Sequence, residues 1–91
     1  MKRGRVDANQ AQFVRALQRL GASVQDLSQV GLLGVPDLLV GWRRRNLLLE
    51  VKNPLVGGVL SKDQELWHGT WRGQVAVVET LEDVLKLLEV R

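Results

Sequence analysis

The chain has no cysteine and a single histidine, His68, among its 91 residues. The first absence excludes a disulfide scaffold, a Cys-ligated zinc site and thiol chemistry, and the second excludes a His-rich metal site. A long apolar run is also lacking, and the N-terminal charges of Lys2, Arg3 and Arg5 are not followed by an apolar segment. We therefore expect neither a membrane span nor a secretory signal, and we expect a cytoplasmic location.

The size of the chain leaves room for one domain. A chain of 91 residues and 10.2 kDa buries only about 60–65% of its unfolded surface on folding. The apolar fraction of 45% and the charged fraction of 25% are typical of a globular chain and not of a disordered one. We predict a single domain over residues 1–91, whose small core would be enlarged by association with a second copy.

Basic residues outnumber acidic ones by 13 to 10, which gives a net charge of +3. Lys2, Arg3 and Arg5 form a basic arm over residues 1–6, and a second cluster, Arg43–Arg45, lies in mid-chain. Such clusters favour a polyanionic partner, most simply nucleic acid. A solvated turn and terminus that only aid solubility would produce the same pattern, so charge alone does not decide between the two interpretations.

Periodicity and turn residues divide the chain into seven elements. In chain order we expect a helix over 8–20, a strand over 23–27, two hairpin strands over 37–42 and 46–52, a helix over 62–72, a strand over 75–78 and a last helix after Thr80. The order α-β-β-β-α-β-α predicts an α/β fold, in which helices flank a central mixed sheet.

Two segments match the capping box that opens a helix. Ser61 pairs with Gln64 in the first, and Thr80 pairs with Asp83 in the second, which is weaker because aspartate reaches less far than glutamate. Pro54 ends the preceding strand, and Gly57-Gly58 marks a flexible connector over 55–60.

Three other features have structural interpretations. Trp67 and Trp71 are four residues apart, which favours a core position or a contact between copies over base stacking. His68 has no acid–serine set in the neighbouring sequence and is interpreted as a surface or packed histidine. The apolar run Val75–Val78 is typical of a strand covered on both faces.

The charged residues of the hairpin form the main candidate site. Alternation along a strand places Glu50 and Lys52 on one face. A four-residue loop would pair Asp37 with Lys52, and a two-residue loop, Arg43-Arg44, would pair Asp37 with Glu50. In both registers all three side chains lie on the same face of the sheet, with opposed Cβ atoms roughly 4.5–5.5 Å apart.

Two carboxylates and an ammonium group at this spacing can bind a cation and act on a phosphodiester. Oxygen ligands from Asp37 and Glu50 suit Mg²⁺, and the backbone carbonyl of Val51 is a further candidate ligand. Lys52 could hold or deprotonate an attacking water, or neutralise charge that develops on a phosphate. The alternative is a cross-strand salt bridge on a solvated face, which contributes about 0–1 kcal/mol to stability.

The same residues resemble a known nuclease signature. Pro36-Asp37 followed by Glu50-Val51-Lys52 resembles the motif of PD-(D/E)XK nucleases. The chain is similar to the VRR-NUC branch of these nucleases over about residues 8–79. The segments that carry the similarity are Gly34-Val35-Pro36-Asp37, Gly57-Gly58 and Leu60-Ser61-Lys62-Asp63-Gln64. The resemblance implies a restriction-endonuclease-like core and a Mg²⁺- or Mn²⁺-dependent DNA nuclease. Small stand-alone members, largely from phages and bacteria, resemble Holliday-junction resolvases and act as homodimers.

Roles for individual residues follow from this resemblance. Asp37 and Glu50 would be metal ligands, Lys52 the catalytic lysine, and Gln64 the family glutamine near the active site. The chain departs from the family pattern at the start of the first helix, where a glutamate is common. Asp7 or Gln10 could substitute for that glutamate here, and the departure leaves the number of metal ions open.

The sequence leaves the substrate open. Holliday junctions are the first expectation, and flaps, replication forks or plain duplex DNA are the alternatives. A non-catalytic DNA-binding subunit is a further alternative, because the helix-1 glutamate is missing. If the hairpin tip faces DNA, Arg43, Arg44 and Arg45 would contact phosphates, as would the arm residues Lys2, Arg3 and Arg5.

Overall fold

The hairpin around the arginine cluster lies at the centre of the sheet. The computed structural model describes residues 8–53, 55 and 59–89. Its elements are α1 (Ala8–Leu20), β1 (Ser23–Asp26), β2 (Leu38–Trp42), β3 (Arg45–Val51), α2 (Lys62–Thr70), β4 (Val75–Val78) and α3 (Leu81–Leu88). The predicted order of elements is confirmed, with boundaries that differ by two residues at most. The arm over residues 1–6, Asp7, Pro54 and Gly57-Gly58 lie outside the described residues.

The four strands form one mixed sheet in the order β1-β2-β3-β4. β1 pairs with β2 and β2 with β3 in antiparallel fashion, whereas β3 and β4 are parallel because α2 lies between them in the chain. The fold is therefore α/β, as predicted. In the part of the chain that the structure describes, no helix is both long and apolar enough to span a membrane.

The turn between β2 and β3 has two residues, Arg43 and Arg44. Their φ angles are 50° and 67°, and Trp42 pairs with Arg45. Positive φ at both central positions is the geometry of a type I′ turn, whose twist matches that of the flanking strands. The left-handed conformation costs roughly 1–2 kcal/mol per non-glycine residue, so this pair of arginines is an unfavourable choice for the turn.

The two faces of the sheet differ in what covers them. The core face carries the buried side chains Leu38, Val40, Leu47, Leu49 and Val51. Phe13 and Leu17 of α1 and Val84 and Leu88 of α3 complete this core. The open face, defined by Leu39, Gly41, Asn46, Leu48 and Glu50, is half-buried or exposed apart from Glu50.

The prediction that the last strand is covered on both faces is wrong. β4 lies at an edge of the sheet, beside β3. Val77 pairs with Glu50 on the open face and is 42% exposed, whereas Val78 is buried in the core. A continuous apolar run therefore reflects here an edge strand with one covered face.

α2 is an exposed helix, and none of its described residues is buried. Trp67 and Trp71 stack on each other with ring centroids 4.6 Å apart, and Trp71 is 46% exposed. A core position for these two residues is therefore wrong, because α2 lies beside the open face of the sheet. Gly34 fixes the loop before β2 against this helix, since a Cβ at Gly34 would lie 2.3 Å from the backbone oxygen of Asp63.

Candidate active site

Asp37, Glu50 and Lys52 lie at the open end of the hairpin, opposite the arginine turn. The register that pairs Leu38 with Leu49 places Asp37 across from Glu50. This is the register expected for a two-residue loop, and the four-residue alternative is wrong. The predicted position of the two acids on one face of the sheet is confirmed.

The Asp37 carboxylate is held by the neighbouring strand. Its Oδ2 accepts a hydrogen bond of 2.8 Å from the backbone N–H of Val51. The backbone carbonyl of Asp37 accepts a second bond of 2.8 Å from Leu27 N–H. Both ends of the residue are therefore tied to the backbone, and its carboxylate is fixed beside Glu50. The role of the Val51 carbonyl as a ligand stays a prediction.

Glu50 is a buried carboxyl whose two oxygens differ in their hydrogen bonds. The residue is 2% exposed, and its Oε2 accepts a bond of 2.9 Å from Gln64 Nε2. Lys52 Nζ lies 3.7 Å from the same oxygen. Among the described residues, Oε1 of Glu50 is buried and has no hydrogen-bond donor. A buried carboxylate oxygen without a donor is costly unless a proton or a cation occupies it.

Gln64 connects α2 to the acids and the lysine. Its Oε1 accepts bonds from Lys52 Nζ at 2.7 Å and from Ser61 N–H at 2.8 Å, while Nε2 donates to Glu50. The capping box is complete, because Ser61 Oγ also accepts from Gln64 N–H. Gln64 therefore caps the helix and orients Lys52 and Glu50 with the same side chain.

Burial raises the pKa of Glu50 to about 8, and the neighbouring charge of Asp37 adds to the effect. The pKa of Asp37 is raised as well, mainly by burial, although the Val51 N–H counteracts this. Two carboxyls in one desolvated place repel each other when both are ionised, and Lys52 compensates only in part. Without a cation, the pair retains a proton at neutral pH.

The donor set fits a hard divalent cation. Asp37 and Glu50 offer carboxylate oxygens, and the two carboxyls hydrogen-bond to each other when one of them is protonated. No other group in the described part of the chain donates to Oε1 of Glu50. Oxygen ligands favour Mg²⁺ or Mn²⁺, and Mg²⁺ commonly binds through one or two carboxylates and several waters. Residues 8–53, 55 and 59–89 contain no group of three or more His, Cys, Asp or Glu that could hold a metal. Within those residues the carboxylate contribution is therefore limited to Asp37 and Glu50.

Two further residues lie near the site and were not included in the sequence-based prediction. The charge of Asp26, at the end of β1, raises the pKa of Asp37. Burial and the charge of Lys52 lower the pKa of His68, so its imidazole is neutral at pH 7. The four-residue spacing of Gln64 and His68 could have indicated the position of His68. Asp26 could be found only through the register of β1.

The structure describes some of the other predicted residues and not the rest. Gln10 is 6% exposed in α1, and its Nε2 is buried without a hydrogen-bond partner in the described chain. Arg45 Nη2 donates a bond of 3.2 Å to the Leu88 carbonyl and so holds the end of α3. Lys2, Arg3, Arg5 and Asp7 are outside the described residues. The proposed contributions of all these residues to metal or nucleic-acid binding stay predictions.

Comparison of the chain with family models, curated proteins and solved structures found no match. The resemblance to VRR-NUC nucleases therefore rests on the motif residues around Asp37, Glu50 and Gln64 alone.

Proposed function

We propose that this protein is a Mg²⁺- or Mn²⁺-dependent DNA endonuclease of the PD-(D/E)XK type, with a VRR-NUC-like, restriction-endonuclease-like core. The observation that supports this most strongly is the buried pair of carboxyls, in which Oε1 of Glu50 lies beside Asp37 and receives no hydrogen bond from any other described residue. Glu50 is only 2% exposed, so a cross-strand salt bridge on a solvated face explains the site poorly.

Each side chain has a separate role in this proposal. Asp37 and Glu50 would hold the cation, which when bound would polarise the scissile phosphodiester and lower the pKa of water. Lys52 keeps its ammonium group beside the pair because Gln64 Oε1 accepts from it at 2.7 Å. From there Lys52 can stabilise negative charge on the phosphate or position the attacking water. Gln64 positions both Lys52 and Glu50.

The substrate that we propose first is branched DNA, in particular a four-way junction. Symmetric incision of a junction needs two sites related by a two-fold axis, and one small domain offers a single site, so the active form would be a homodimer. The proposed location is the cytoplasm of a bacterium or a phage-infected cell. Flaps, forks and linear duplex are alternative substrates for the same chemistry.

A catalytically weakened DNA-binding subunit is a second candidate function. Gln10 supplies a neutral amide on α1, in the region where the nuclease family commonly has a glutamate. Loss of one ligand would lower the affinity for a cation without removing the basic residues that favour DNA.

Cleavage of a labelled DNA panel tests the proposed function. An immobile junction, a flap, a fork and a linear duplex are each incubated with Mg²⁺, Mn²⁺ or EDTA. We expect nicking only with a divalent cation, and a loss of about 10²–10³-fold or more for Asp37→Asn, Glu50→Gln and Lys52→Met. Asp83→Asn, which changes a half-buried carboxyl in the first turn of α3, is the control and should cleave like the parent. Cleavage in EDTA, or parental rates for the Lys52 variant, would contradict the proposal.

A further inference from the structure

The arginines of the β2–β3 turn are not explained by folding. Type I′ turns favour Asn, Asp and Gly because both central residues need positive φ. Arg43 and Arg44 hold those positions with φ of 50° and 67°. A turn that retains two residues unsuited to its backbone suggests that their side chains have another use.

The three arginines of the cluster differ in what they contact. Arg45 is tied to α3 through its bond to the Leu88 carbonyl. Arg43 and Arg44 are both exposed, and the guanidinium of Arg43 lies over the Trp42 ring, 4.9 Å from its centroid. Stacking on tryptophan restricts the guanidinium while leaving its N–H groups available to an acceptor.

A groove leads from the turn along the open face of the sheet. At the turn it has a volume of about 540 Å³ and is lined by Gly21, Ser23 and residues 41–46. An adjoining hollow of about 160 Å³ shares Ser23, Gly41 and Asn46 with it. Neither lining contains an acidic residue. Asn46 lies on the same face of β3 as Glu50, so the groove points toward the candidate active site.

The distance from the turn to the acids is set by the strand. Glu50 lies six positions after Arg44, which corresponds to about 20 Å of extended chain. Duplex DNA rises about 3.4 Å per base pair, so this length matches about six base pairs.

We propose that Arg43 and Arg44 bind backbone phosphates of duplex DNA about six base pairs from the phosphodiester at the candidate active site. This inference rests on the proposed nuclease function and specifies its substrate as a duplex arm that lies along the open face. Guanidinium groups bind phosphate oxygens in a bidentate manner and without regard to base sequence. The arginines therefore position the DNA arm and do not select a sequence.

A double variant, Arg43→Asn with Arg44→Gly, tests the proposal because it installs the preferred residues of a type I′ turn. Binding of a fluorescent 20-base-pair duplex is followed by anisotropy in EDTA over a series of salt concentrations. We expect the melting temperature to equal or exceed that of the parent. We expect affinity to fall about 10–100-fold at 0.1 M salt, and the slope of log K against log salt to decrease in magnitude by about 1.8, the value for two phosphate contacts.

The matched control is the double variant Arg15→Gln with Lys86→Gln, which removes two positive charges from α1 and α3. Its salt slope should stay within about 0.5 of the parental value if the effect depends on the turn and not on net charge. Equal losses in the two double variants would overturn the proposal, as would an unchanged slope in the turn variant.

Substrate length tests the position of the contact. On an arm shorter than about five base pairs, the parent and the turn variant should cleave at the same rate, because the arm no longer reaches the turn. A difference that persists on short arms would overturn the assignment. A parent protein that binds duplex but never cleaves it would refute the nuclease function. The salt dependence of duplex binding by the turn variant would then decide whether Arg43 and Arg44 contact phosphates. A parent that binds no duplex would refute the turn contact.

Discussion

The two capping boxes of the protein share one local geometry. They differ in the further contacts of the residue three positions after the cap, called here the third residue: Gln64 in the first box and Asp83 in the second. In the first, Ser61 Oγ accepts from Gln64 N–H at 3.2 Å; in the second, Thr80 Oγ1 accepts from Asp83 N–H at 3.1 Å. Each third residue also accepts from the backbone N–H of its cap residue. Asp83 adds a bond from Glu79 N–H, whereas Gln64 extends to Lys52 and Glu50.

The electrostatic surroundings explain why an amide suits one box and a carboxylate the other. Backbone N–H groups of Glu79 and Thr80 lower the pKa of Asp83, which is half-buried. Gln64 instead touches Glu50, a buried carboxyl whose pKa is raised to about 8. A third carboxylate beside Glu50 would increase the repulsion, whereas an amide donates to Glu50 and accepts from Lys52. A helix cap can therefore also serve as part of a site.

The largest expected difference between the two regions is in the pH dependence of stability. The native pKa of Glu50, whose charged neighbours are Asp37 and Lys52, lies above its ordinary value of 4.5. The native state therefore binds a proton that the unfolded state releases, so stability is greatest below about 4.5 and is lost as pH rises through about 8. We expect the metal-free protein to lose stability on the order of a few kcal/mol between pH 5 and pH 8.

Urea denaturation at a series of pH values measures this loss. Glu50→Gln should remove most of the slope over that pH range, while Asp83→Asn should leave it unchanged, since the lowered pKa of Asp83 acts only in acid. A Glu50→Gln variant with the parental slope would show that the carboxyl is not the source.

Variants of Gln64 and Asp83, the third residues of the two boxes, should differ in their rate of DNA cleavage. Gln64→Ala removes the bonds to Lys52 and Glu50, and loss of such orienting contacts typically costs about 10–100-fold in activity. Asp83→Ala removes the equivalent cap but no contact with the site, so its single-turnover rate should be parental. Equal rates for the two variants would mean that Gln64 acts only as a cap.

The contact between Gly34 and α2 offers a matched glycine pair. Gly34 and Gly31 have φ of 83° and 82°, but only at Gly34 would a Cβ meet the helix backbone. Either change to alanine should cost about 1 kcal/mol for the backbone conformation, and Gly34→Ala a further 1–3 kcal/mol or so for the clash. Denaturant midpoints measure both losses. Similar values would indicate that the loop and α2 separate easily.

The smallest expected effect concerns the cap residues themselves. Ser61→Ala and Thr80→Ala should each destabilise the protein by about 1 kcal/mol. Only Ser61→Ala should also slow cleavage, by a few-fold, because it loosens the helix that positions Gln64. A rate reduced equally by Thr80→Ala would remove the distinction between the boxes.

Local sequence patterns were sufficient to predict the helices and strands, but not which parts of the protein cover each of them. Helical periodicity predicted α1 and a short apolar run predicted β4, both at their observed bounds, and the alternation along a strand placed Glu50 and Lys52 together. The register stayed open because Arg43-Arg44 is not a typical turn pair. Exposure of Trp71 and of Val77 was missed, since periodicity shows which residues share a face but not what covers that face.

The residue types of the candidate site were predictable from the sequence, whereas the hydrogen bonds that connect them were less so. Asp37, Glu50 and Lys52 were found by strand spacing, but the bond from Val51 N–H to Asp37 and the influence of Asp26 depend on contacts between strands. That Gln64 bridges the lysine and the acid could not be derived from the capping pattern, because the pattern is satisfied equally well by Asp83.

Calorimetric titration of the metal-free protein with Mn²⁺ tests the central claim, that Asp37 and Glu50 share a divalent cation, most directly. We predict saturable binding by the parent and by Asp83→Asn, with release of protons at pH 7 because Glu50 is protonated without the cation. Binding should be lost in Asp37→Asn and in Glu50→Gln. Parental affinity in the Glu50→Gln variant, or no saturable binding by the parent, would contradict the claim.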